Sequence, residues 1–127
     1  MENLFVPYEI ALALKKLGFN EKCLVNFFQG KFNNEKNTLL LTDERTNADV
    51  NSIDFVSCPL YQQVIEWLML KHHIKIWWIP VFFNDDRLMI KAIKDDKPET
   101  VFYNEFHDTN KLNEGYNEAI IEALKHI

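Results

Sequence analysis

Apolar positions along this chain change period several times, and those changes divide it into elements. Ile10, Leu14 and Leu17 recur at three- and four-residue steps, with Ala11 and Ala13 beside them. That spacing predicts a helix over 7–17. Pro7 suits its first position, because a proline nitrogen has no hydrogen to leave unbonded. Gly18 stands where a left-handed residue closes a helix, and a closure of Schellman type folds Phe19 back onto Leu14. Val25, Phe27 and Phe28 predict a strand over 22–29, ended by Gly30. A second strand is expected over 37–42, joined to the first by the polar turn Asn33-Asn34-Glu35. Residues 42–52 are polar without a period and read as a surface loop.

Pro59 opens a second helix over 60–72. Its inner face is Leu60, Tyr61, Val64, Ile65 and Leu68, with Trp67 at the border. The period then becomes two. From Ile74 to Phe83 a strand places Ile76, Trp78 and Phe82 on one face and Trp77, Ile79, Val81 and Phe83 on the other. Asn84-Asp85-Asp86 is a turn, 88–94 returns, Asp95 to Pro98 turns again, and 101–106 is a fifth strand. Asp108, Thr109 or Asn110 can cap a last helix whose apolar side is either Leu112, Tyr116 and Ile120 or Ala119, Ala123, Leu124 and Ile127. Gly115 weakens its first turn. The order is α-β-β-α-β-β-β-α. It predicts a single α+β domain over 1–127, an antiparallel sheet of about five strands with three helices.

Pro59-Leu60-Tyr61-Gln62-Gln63 followed by Trp67, the helix end Leu17-Gly18-Phe19, and the closing Glu122-Ala123-Leu124-Lys125 carry a resemblance. The chain resembles a family of uncharacterised small proteins from phages, prophages and mobile elements of Bacteroides and related bacteria. Only the Pro-Leu-Tyr-Gln-Gln piece is specific. Cys58 stands where that family usually has Ala, and Glu66 and Leu68 stand where it has aromatic residues. The resemblance implies a phage-related setting and the α+β layout, and it implies no reaction.

Charge narrows the partners. The net charge is −5, and Arg occurs only at Arg45 and Arg87 among 14 scattered basic residues. Nucleic-acid binders carry a basic stripe rich in Arg, so nucleic acid is not the expected partner. No window approaches the ~18 apolar residues of a membrane span, and no secretory leader opens the chain. The expectation is a cytoplasmic protein of a bacterial host, with no membrane contact. Cys23 and Cys58 form no metal-type pair and read as buried reduced thiols.

Candidate chemistry is thin. Adjacent His72 and His73 point about 100° apart on a helix, unlike ligands three or four residues apart. His107 and His126 add no ligand spacing. Asp85-Asp86 and Asp95-Asp96 lie where turns already call for Asp. Ser52 and Ser57 sit in no nucleophile elbow. Cys58 precedes a helix start, but Pro59 removes one of the donors that would favour a thiolate. The three glycines are isolated and form no phosphate loop. The reading is of a protein with no catalytic residues, no metal and no cofactor.

What stands out is aromatic excess around Trp67, Trp77 and Trp78. Adjacent tryptophans in a strand face opposite sides of the sheet. Helices cover one side; the other needs a partner, a ligand or more of the same chain. The expectation is an interaction protein that self-associates or docks a protein partner through Trp77, Ile79 and Val81. The alternative is a small-molecule binder, nucleotide-like in its ligand, that stacks a base on Tyr61, Trp67 or Trp77 with Gln62 beside them, acting in phage–host conflict.

Overall fold

A computed structural model describes residues 2–33, 46–50, 52, 54–81, 87–95, 99–106 and 111–127. The expected strand over 37–42, the aromatic pair Phe82-Phe83, the turns at 84–86 and 96–98 and the caps at 108–110 lie outside them. The fold is α+β. Three helices accompany six described strands in two three-stranded antiparallel sheets, rather than one sheet of about five. The chain divides into two compact units, 1–64 and 65–127.

In the first unit, helix α1 (Tyr8–Lys16) is one residue shorter at each end than the periodicity suggests. Pro7 sits just outside it, extended, with its carbonyl accepting from the Ile10 and Ala11 N–H groups. The closure is the expected one. Gly18 has φ 92°, Phe19 N–H donates to Leu14 O at 2.9 Å, and Gly18 N–H donates to Lys15 O at 3.2 Å. Phe19, Ile10 and Leu14 are fully buried.

Strands β1 (Val25–Phe28) and β2 (Lys31–Asn33) form a tighter hairpin than expected. Its turn is Gln29-Gly30, with φ of 51° and 74°, not the Asn33-Asn34-Glu35 segment. Two left-handed residues make the turn whose twist matches a two-residue hairpin, and Gly30 takes that conformation without a Cβ penalty. Strand β3 (Phe55–Cys58) pairs with β1 on its other side and is buried along its whole length. It lies just before Pro59, at residues the sequence pattern leaves unassigned. Four residues buried on both faces show no alternation, so a period-two search passes over them.

Lys15 holds β3 to α1. Its ammonium donates to Ser52 O at 2.6 Å and to Phe55 O. The segment 46–50 is not a plain surface loop, because Thr46 and Asn47 are buried. Asn47 Nδ2 donates to Phe19 O at 2.9 Å, and Asn47 Oδ1 accepts from Ser57 N–H at 2.9 Å. One amide thus ties α1's closure to β3.

Helix α2 (Tyr61–His72) starts on Leu60, and the unit boundary falls inside it. Gln63 Oε1 accepts the Leu60 N–H at 3.0 Å, the back-bond of a capping box. Gln63 Nε2 donates to Lys22 O at 2.9 Å.

The second unit is a meander, β4 (Ile74–Val81), β5 (Arg87–Lys94) and β6 (Glu99–Phe106), closed by α3 (Leu112–Leu124). Pairing runs Ile76–Ala92–Phe102 and Trp78–Ile90–Asn104 across one face. A bulge between Ala92 and Ile93 leaves Val101 as the extra residue of β6. Helix α3 packs on this face through Gly115, Ala119, Ile120 and Ala123. Gly115 is a requirement there. A Cβ would lie 2.4 Å from Ile90 Cδ1 and 2.8 Å from Phe106 Cε2. β4 and β6 are the outer strands of this sheet, and Pro80 lies in β4, as proline in a sheet must lie at an edge.

Candidate functional site

Along β4 burial alternates from Ile74 to Ile76 and lapses beyond it. Ile74 and Ile76 are buried beneath α3, while Ile79 on the opposite face is 37% exposed. Trp78 belongs to the α3 face but reaches its rim and is 48% exposed. Register assembles the opposite face. One row across the sheet is Trp77–Lys91–Tyr103 and the next is Ile79–Met89–Glu105. Lys75 and Ile93 form the row beside them. Tyr103 is 51% exposed, and Trp77, Met89, Lys91 and Ile93 are half-buried. This is a strip of apolar and aromatic side chains with charged groups set into it.

The charges on this face are organised. Lys75 Nζ lies 3.1 Å from Asp95 Oδ2. Tyr103 donates its phenol hydrogen to Glu105 Oε1 at 2.7 Å. That hydrogen bond, then burial and then the carboxylate's charge, pushes the Tyr103 phenol above its ordinary range.

The other expected binding residues are Tyr61, Gln62, Trp67 and Val81. Trp67 is 7% exposed and belongs to the core, not the border of α2. Its ring meets that of His72 edge-on, with centroids 4.4 Å apart. The buried stripe of α2 runs through Val64, Trp67 and Leu68, while Tyr61 and Ile65 are only half-buried. Tyr61 and exposed Gln62 lie in the first unit. Val81 ends β4 opposite Arg87. Met89, Lys91, Ile93, Tyr103 and Glu105 were not singled out by sequence. They join Trp77 only through cross-strand register, which no local pattern states.

Around the α2–β4 junction, His73 takes a left-handed φ of 57° and its carbonyl accepts Asp95 N–H at 2.7 Å. Burial first, then the neighbouring His73 and Lys94, lowers the His72 imidazole below its ordinary 6.5. Cys23 and Cys58 are buried and unlinked, as expected. Among the described residues no group of three His, Cys, Asp or Glu side chains converges as metal ligands. None of the described helices is long and apolar enough to cross a membrane.

Comparison of the chain with protein-family models, curated proteins and solved structures gives no match.

Proposed function

We propose that this is a non-catalytic interaction protein whose working surface is the sheet face of Trp77, Ile79, Met89, Ile93 and Tyr103. The observation that carries the reading is the pair of outward apolar residues on that face, Ile79 and Tyr103, beside half-buried Trp77. Aromatic residues concentrate at interaction surfaces, where they give large contact area at small entropic cost. The face also holds opposite charges side by side, which suits a protein surface better than a polyphosphate. The phage-related setting is supported by the resemblance, whose specific piece is Pro59 to Gln63.

The competing explanation is that these side chains are simply core. Stability separates the two. Truncating a buried large apolar residue costs about 2–5 kcal/mol, whereas surface changes stay within about 0.5 kcal/mol. Ile79→Thr and Tyr103→Thr are expected to leave the urea midpoint almost unmoved. A loss of core size in both variants overturns the reading.

A further inference from the structure

Resting on that reading, we infer that the occupant of the face is a short, proline-rich segment of another protein, extended and carrying one carboxylate. Charge calls for the carboxylate. The face holds Lys75, Asp95, Lys91 and Glu105. Asp95 is matched by Lys75 3.1 Å away. Glu105 accepts the Tyr103 phenol hydrogen at 2.7 Å and has a further interaction within the chain. Of the four, Lys91 is the one without a partner among the described residues. It is half-buried in the row Trp77–Lys91–Tyr103, where the flanking rings thin the water that would screen an ion pair. A net charge of −5 disfavours a strongly acidic guest, so one carboxylate suits the face and a run of them does not.

The backbone calls for proline. β5 is paired on both sides, so its amides and carbonyls are already bonded to β4 and β6. A peptide lying over the face meets side chains only. Each of its N–H groups turned towards Met89 or Ile93 loses water without gaining an acceptor. Proline has no N–H to strand there, and a polyproline II chain is extended before it binds. Aromatic-lined surfaces are where such chains dock. The relief of the face agrees. Met89, Lys91 and Ile93 on β5 are half-buried, while Ile79 on β4 and Tyr103 on β6 stand further into solvent on either side. Strands of eight residues span roughly 27 Å, the length of about eight residues of polyproline II. Such a face is too small for a stable contact between two folded proteins, and its area supports a weak, transient hold on a peptide.

Selection from a displayed library of random octapeptides on the immobilised whole chain tests this. The enriched peptides are expected to carry several prolines and one Asp or Glu. The best of them, labelled with fluorescein, is expected to bind with a Kd of about 10–500 µM by anisotropy. Lys91→Glu is expected to weaken that peptide by about tenfold or more, and to bind its carboxylate-to-Lys counterpart more tightly than the parent does. Tyr103→Thr is expected to weaken both peptides. Enrichment of peptides that lack proline or a carboxylate overturns the inference. So does a selected peptide that Lys91→Glu and Tyr103→Thr bind as well as the parent, or a library that yields nothing above a blank surface. A chain that doubles its mass by about 200 µM in sedimentation equilibrium also overturns it, and makes the occupant a second copy. If the Ile79 and Tyr103 variants keep full stability in any of these cases, the occupant is wrong and the face stands.

Discussion

At the residue scale, three positions carry separate consequences. Gln63 accepts the Leu60 N–H and donates to Lys22 O, so the second Gln of Pro-Leu-Tyr-Gln-Gln acts in helix initiation rather than in ligand binding. Gln63→Ala is expected to cost about 1 kcal/mol in a urea titration, in the range of a lost cap. Gly115→Ala pits about 1 kcal/mol of helix propensity against a methyl driven into Ile90 and Phe106. Overpacking of about 1–3 kcal/mol wins, and the melting temperature is expected to fall. Reading Gly115 as a mere weak point of a helix missed this, since the side chains it accommodates lie on β5 and β6. His72 sets a pH dependence. Its imidazole is held below 6.5, so the folded chain takes up its proton later than the unfolded chain as pH falls. The stability contribution is whole above 6.5 and drains away from there down to the lowered folded value. Urea midpoints at pH 8 and pH 5 are expected to differ less in His72→Gln than in the parent.

At the element scale, structure was legible where the period was long and the punctuation local. The closure of α1 could be written down to its bonds, because Gly18 and Phe19 act within one turn. β4, β5 and β6 fell close to their expected bounds, since a period of two runs through each. β3 was illegible because burial on both faces erases alternation. Asn47 was unreadable for another reason: its partners, Phe19 and Ser57, are 28 and 10 residues away. Of the face opposite α3, the sequence exposed the β4 share, Trp77 and Ile79, and nothing contributed by β5 or β6. Lys15 offers the test of how β3 is held. Lys15→Met removes the donor shared by the Ser52 and Phe55 carbonyls. It is expected to lower stability by about 1–3 kcal/mol and to speed amide exchange in 54–58.

At the scale of the whole molecule, the boundary between the two units falls between Val64 and Ile65, inside the hydrogen-bonded run of α2. Chains of this length usually unfold in one step, and a helix spanning the boundary favours that. Leu14→Ala in the first unit and Ile120→Ala in the second are expected to lower one common thermal transition; two separable transitions would show that the units melt apart. Pro80 bears on a different risk. A nitrogen without hydrogen on the border of β4 denies a bond to any foreign strand trying to add there. Growth of ribbons along that margin is discouraged.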